Sequence, residues 1–220
     1  MEINLYSMFM FYRMQADFRK MPQNVQITAK QEFENLLASQ QNRIFIRTYL
    51  THGINENSDL MIWRMGRSLS RLQEMSAAMQ KTGFGKWLDT SKSFTCIAEI
   101  SVVSENNAEK EADATYGTLP YLLVRPLNGT AAWRAMEANA KNAVLEADKM
   151  IKEYSNISFF HAKTFGQHDY MNIMESSSAE NLNVSLKKFE EINAKENYFL
   201  PEKGYFCIGR DISEILDFLA

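Results

Sequence analysis

Metal binding or proton transfer near neutral pH would fall first to the three histidines of this chain, His52, His161 and His168. None has a second histidine three or four residues away, so no helical pair of imidazole ligands is present, and no metal site is read from the sequence. Each therefore reads first as a surface or structural imidazole. Cys96 and Cys207 fall in separate strand-like segments, outside any CxxC spacing, and read as buried free thiols. Serines are many, but none stands beside a residue that marks it as an activated nucleophile. Glu190 and Glu191 read as solvated helix surface. The phosphate-binding patterns GxxxxGK[ST] and GxGxxG are absent, as is HExxH. "KTGFGKW" reads as a helix C-cap followed by a turn. One helical face stands out: in "NAVLEADKMIKEYSNISFF", Val144, Ala147, Ile151 and Tyr154 recur at offsets of three, four and three.

The elements that would position these residues follow from periodicity. "INLYSMFMFYR" (3–13) and "RIFIRTYL" (43–50) are rich in branched and aromatic residues and predict strands. Between them a helix is predicted over 26–40, with Ile27, Phe33, Leu36 and Leu37 as its apolar stripe and Thr28 or Asn24 as its cap. After the turn cluster "HGINENSD" come a strand, "LMIWRM", and a helix, "SLSRLQEMSAAMQ", with Ser68 as N-cap and a stop at Gly83. The strand "SFTCIAEISVV" closes the first half.

The polar, acidic run over 104–116 reads as a linker, and the order then begins again. "PYLLVRPL" predicts a strand, "GTAAWRAMEANAKNAVLEADKMIKEY" one long helix, and "ISFFHAKTF" with "DYMNIME" a strand pair. "SAENLNVSLKKFEEINA" predicts a helix and "GYFCIG" a last strand. The chain thus reads as α+β, with two tandem ferredoxin-like βαββαβ halves, 1–103 and 117–220. Each such half leaves one sheet face bare, so the two are expected to bury their bare faces together as an α+β barrel within one chain.

Composition narrows the classes of function. With 45% hydrophobic residues the chain can bury a normal core. A net charge of -3 and a pI near 5.7 give no basic excess for a phosphate backbone, so nucleic acid is not an expected partner. No apolar run reaches the roughly 18 residues of a bilayer span, and the start of the chain lacks a signal peptide's flanks. A cytoplasmic location is the expectation. Thirteen methionines suggest an adaptable, Met-rich core.

Several segments taken together resemble the chlorite dismutase family, which includes the coproheme decarboxylases: "YSMFMFYRM", "IRTYLTHGINENSDLMIWRMGRSLSRLQEMSAAMQKTGFGKWL", "EYSNISFFHAKTFG" and "YFCIGRDI". Arg47 to Tyr49, Asp59 to Arg64 and Thr82 to Gly85 carry the most specific part of the likeness. The resemblance implies the same two-half barrel, a ring-shaped homo-oligomer such as a pentamer, and a haem or coprohaem pocket on the second long helix. In haem-binding members a proximal histidine precedes, by about seven residues, a tyrosine that ends this helix. Counting back seven from Tyr154 gives Ala147, whose methyl group has no lone pair for iron. Val144 and Ile151 flank that position on the same face. The distal arginine or glutamine of the family corresponds to Phe160, or to His161 if the register slips by one. Strand alternation allows only one of these two to face the pocket. An inward His161 could supply an iron ligand or an acid/base. Tyr116 falls where coproheme decarboxylases carry a tyrosine over the reacting propionate, while Lys81, Lys86 and Arg125 could pair with a propionate or be plain surface charge.

Three readings follow. The chain is a haem- or porphyrin-pocket oxidoreductase with an altered ligand set, and not a true chlorite dismutase. Alternatively it is a haem-free relative acting as an oligomeric binding or scaffold protein. A third reading is a cofactor-free enzyme acting on a small aromatic or quinone-like compound.

Overall fold

The computed structural model describes residues 2–101, 116–147 and 157–220, with the side chains at 2–4, 98–101, 145–147 and 157–160 left undescribed. It divides into two compact units. Unit 1 contains residues 1–95 and 207–220, and unit 2 contains 96–98 and 116–206; residues 99–115, also grouped with unit 1, are described only as far as 101. The fold is α+β.

In unit 1 the chain runs through β1 (Glu2–Met14), α1 (Gln23–Gln40), β2 (Phe45–Leu50), β3 (Leu60–Gly66), α2 (Leu69–Lys81) and β4 (Leu88–Ser101). β1 and β2 both pair antiparallel with β3, with Met10 opposite Ile62 and Thr48 opposite Ile62. Side chains alternate across these strands, and this splits the unit's apolar residues into two sets. Met10, Tyr12, Met14, Ile46, Leu60 and Ile62 face the helices and pack with Phe33 and Leu37 of α1 and Leu72, Met75 and Met79 of α2. Phe9, Phe45 and Trp63 lie on the opposite face, fully or nearly fully buried. There Trp63 stacks on Phe9 with ring centroids 5.0 Å apart, and its indole N–H donates to Ser7 Oγ at 2.8 Å. Each such buried aromatic contributes on the order of 1.5–3 kcal/mol by leaving water.

The turn after α2 is set by close approach. A Cβ on Gly83 would lie 3.0 Å from Ala29 Cβ, so the turn can rest directly on α1. The Gly83 N–H donates to Glu32 Oε2 at 2.7 Å, also on α1.

Unit 2 runs through β5 (Tyr121–Gly129), α3 (Ala131–Ala135), α4 (Ala138–Ala147), β6 (Ile157–Thr164), β7 (Tyr170–Ser176), α5 (Ala179–Glu196) and β8 (Phe199–Pro201). β7 pairs antiparallel with β5 and β6, β5 also pairs with β8, and Cys96 and Ile97 of β4 add to β6. The expected long helix is interrupted: α3 ends at Ala135, and Met136 adopts an extended conformation. Trp133 anchors this single turn. Its ring packs on Phe199 with centroids 4.6 Å apart, and on Gly129, where a Cβ would lie 3.1 Å from Trp133 Cγ.

Two elements close the chain; residues 205–206 of the first belong to unit 2 and the rest to unit 1. In β9 (Tyr205–Gly209), Gly209 and Ile208 pair with Tyr49 and Leu50 of β2. α6 (Ile212–Leu219) then buries Ile215, Leu216 and Leu219 in the helix-side core. "GYFCIG" also lies beside β5 in the strand order, and its Phe206 stacks on Tyr121 of β5 with ring centroids 6.0 Å apart; the short β8, not expected from the sequence, pairs with the other end of β5. Among the described residues no helix is long and apolar enough to cross a membrane.

Candidate functional site

β7 organises the site because every residue from Met171 to Ser176 on it is buried, and its alternation sends side chains to two different surroundings. Tyr170 and Met174 face the helices and join the core built on Leu182 and Phe189 of α5. Directly opposed residues on neighbouring strands share a face. Asn172 pairs with His161 on β6 and with Arg125 on β5, which places three polar side chains in one row on the helix-covered face.

α5 covers that row and is capped at both ends. Ser178 Oγ accepts from the Asn181 N–H at 3.1 Å, and Asn197 ends the helix in the left-handed conformation at φ 51°. Asn193, in its last turns, holds the following strand: its amide donates to Phe199 O at 2.8 Å and accepts from Phe199 N–H at 2.9 Å. The ring of Phe199 is thereby fixed 6.1 Å from the His161 ring, and Phe189 lies 6.3 Å away. Arg125 is tied down by an ion pair from Nη1 to Glu190 Oε1 at 3.0 Å and a bond from Nε to Glu202 O at 3.0 Å.

A cavity of about 350 Å³ opens between Val144 of α4, Phe189, Ile192, Asn193 and Glu196 of α5, and the Tyr198–Phe199 corner. Its walls are mainly apolar, and its size lies at the small end of the range for small-molecule sites, roughly 300–1,000 Å³.

Of the residues singled out in sequence, Val144 lines this cavity and His161 belongs to the same face. Ala147 is the last described residue of α4, and Phe160 pairs through its backbone with Ile173. Ile151 lies outside the described residues. Tyr116 is buried elsewhere. Burial and the nearby carboxylate of Glu175 push its phenol up to about 12, and the adjacent Gly117 N–H donates to Glu175 at 2.6 Å. Glu175 is three residues from Asn172 along β7 and so faces the other side of the sheet. The structure does not bring Tyr116 and His161 together. Lys81 and Lys86 are exposed in unit 1.

The other two histidines have carboxylate partners: His52 Nδ1 lies 2.6 Å from Asp59 Oδ1, and His168 Nδ1 lies 3.3 Å from Glu202 Oε1. Sequence reasoning gave Asn172 no role, because a lone Asn in an apolar strand carries no motif. It also missed a second concavity, of about 330 Å³, where Arg43, Arg67 and Arg71 meet at the start of α2 from positions scattered in sequence.

The donor set decides what this face can hold. Over its described residues α4 offers no imidazole, thiolate, thioether or phenol, and its one carboxylate there is Glu146. No group of three or more His, Cys, Asp and Glu capable of holding a metal occurs among the described residues. This set does not fit an iron-ligated haem held from α4.

Residues 26–210 match the family model described as chlorite dismutase. The chain belongs to the chlorite dismutase family. Its fold is similar to that of a mutant chlorite dismutase from Candidatus Nitrospira defluvii, at 18% identity and a TM-score of 0.81, covering 98% of this chain and 95% of that one. The chlorite dismutase of the same organism in complex with imidazole gives 18% identity and a TM-score of 0.80, covering 98% and 94%. A haem-binding protein from Thermus thermophilus gives 13% identity and a TM-score of 0.80, covering 100% and 96%. At these identities the likeness is one of fold.

Proposed function

We propose that this chain is a member of the chlorite dismutase family that does not dismutate chlorite, and that the face under α5 binds a small apolar molecule without an axial iron ligand from α4. The observation that carries this reading is the composition of α4, which sends Val144 into the cavity and over its described residues offers iron no imidazole or sulfur donor. In this reading Ala147 stands where the family's proximal histidine would be, and a methyl group there leaves an apolar wall. What remains is a binding site, with Phe189, Phe199, Ile192 and Val144 excluding water and Arg125 fixed beside it by Glu190.

One observation favours a second reading, in which haem or coprohaem is bound in a different way. His161 lies on the helix-covered face, between the rings of Phe189 and Phe199, and is the histidine from which such a ligand would come.

Family membership also supports a ring-shaped homo-oligomer, such as a pentamer. The strand orders β4-β1-β3-β2 and β6-β7-β5-β9 support reading the chain as two ferredoxin-like halves.

The binding claim is tested by titrating the full chain with naphthalene and following methyl resonances by NMR. Saturable shifts at Val144 and Ile192 are expected. No saturable shift at either would overturn it.

A further inference from the structure

The side chain of Asn172 is fully buried, and neither its amide nitrogen nor its amide oxygen has a hydrogen-bond partner. A carboxamide carries two N–H donors and a carbonyl with two lone pairs, and closing it away from water with none of them used costs free energy comparable to a lost hydrogen bond. Folded proteins leave few such groups, and each calls for an explanation. Packing alone gives none here, because Leu or Met would fill the position without the penalty.

The surroundings narrow what the amide is for. Asn172 sits centrally in the row His161–Asn172–Arg125, beneath α5. Arg125 directs Nε to Glu202 O and Nη1 to Glu190, away from its neighbour. The His161 ring packs toward Phe189 and Phe199, both of which line the 350 Å³ cavity. Asn172 is the strand neighbour of His161 and is not itself part of the lining, so a ligand that reaches the amide must displace lining side chains such as the two phenyl rings.

We infer that Asn172 is the polar recognition element of this cavity, and that its ligand is a planar aromatic cyclic amide, with a ring N–H beside a carbonyl on one edge. The inference rests on the proposed reading of this face as a small-molecule site. The two edges are complementary: Asn172 Oδ1 accepts the ring N–H while Nδ2 donates to the ring carbonyl, so both orphaned atoms are satisfied at once. The remaining aromatic surface meets Phe189, Phe199, Ile192 and Val144. A carboxylate ligand fits less well, since the guanidinium of Arg125 is already paired with Glu190 and would leave the added charge uncompensated.

The test is a set of NMR titrations of the full chain with 2-quinolone, N-methyl-2-quinolone and naphthalene, on wild type and Asn172→Leu. Wild type is expected to bind 2-quinolone about tenfold more tightly than either of the others, a tenfold ratio being about 1.4 kcal/mol. Asn172→Leu is expected to bind all three alike and to melt no lower than wild type. The comparison of 2-quinolone with its N-methyl form uses wild type alone, so it stands even if the variant fails to fold. Equal binding of all three by wild type overturns the role of Asn172 and leaves the site itself standing. Failure of all three to bind overturns both. A variant that melts well below wild type, with no preference for 2-quinolone in wild type, shows that a buried water satisfies the amide and that its role is structural.

Discussion

The imidazole of His161 stands directly across the β6–β7 ladder from the carboxamide of Asn172, and its ring lies about equally far from Phe189 and Phe199, at 6.3 and 6.1 Å. That register puts the site's polar groups under α5 and leaves Tyr116, beside Glu175, on the other face of the same sheet. A proton transfer using both Tyr116 and His161 on one ligand is thereby ruled out by geometry.

Tyr116 should leave its mark on alkaline stability. Its folded pKa is raised from 10.0 to about 12, so the fold favours the neutral phenol. Its contribution is fully present below pH 10 and is lost as the pH rises toward 12, because the unfolded chain releases the proton first. The loss amounts to roughly 2–3 kcal/mol. Denaturant midpoints of wild type between about pH 9 and 11.5 should fall more steeply than those of Tyr116→Phe; parallel curves would contradict this.

Gly85 cannot carry a side chain. A Cβ there would overlap the Met79 carbonyl oxygen and lie 2.7 Å from its carbon and 2.8 Å from Thr82 Oγ1, which itself holds Met79 O and the Gly85 N–H. Gly85→Ala is expected to cost about 2–3 kcal/mol. Gly66→Ala is the control, since its Cβ would make an ordinary 3.6 Å contact with Leu72 and should cost less than about 1 kcal/mol. Similar losses in urea unfolding would contradict the assignment.

Arg64 is fully buried in unit 1 with no carboxylate paired to it among the described residues, and burial lowers its pKa. Its nitrogens reach Ser76 Oγ at 2.8 Å, Met10 Sδ at 2.9 Å and Leu72 O at 3.2 Å, while Nε has no partner. Arg64→Met keeps the volume and removes the desolvated charge, so it should change stability by less than about 1 kcal/mol or raise it. Arg64→Ala opens a cavity and should cost about 2–5 kcal/mol. Equal, large losses from both would show that the charge itself is needed.

Legibility in the sequence followed the length and period of each element. β1, β2, β3 and α2 were readable because their apolar residues recur over six or more positions, and Ser68 caps α2 through the Arg71 N–H as its position suggested. β8 has three residues, too few to show a period, and the break after α3 has neither Pro nor Gly to mark it. α6 did carry a signal, Asp211 followed by Ile212, Ile215, Leu216 and Leu219 at helical spacing, but it lies beyond the six elements expected of a half. At the site, alternation says that residues 160 and 161 differ in direction. Only the packing of Phe189 and Phe199 shows that His161 is the one under α5. Asn172 and Arg64 acquire meaning from burial alone, which neither residue type announces.

The central claim, that the helix-covered face of unit 2 is a ligand site without the family's iron ligand, is tested most directly by titrating the purified chain with haem and with coprohaem and following the Soret band. Wild type is expected to show no sharp, stoichiometric band, and Ala147→His to gain one. A sharp one-to-one band in wild type that disappears in His161→Ala would contradict the claim and assign the iron to His161.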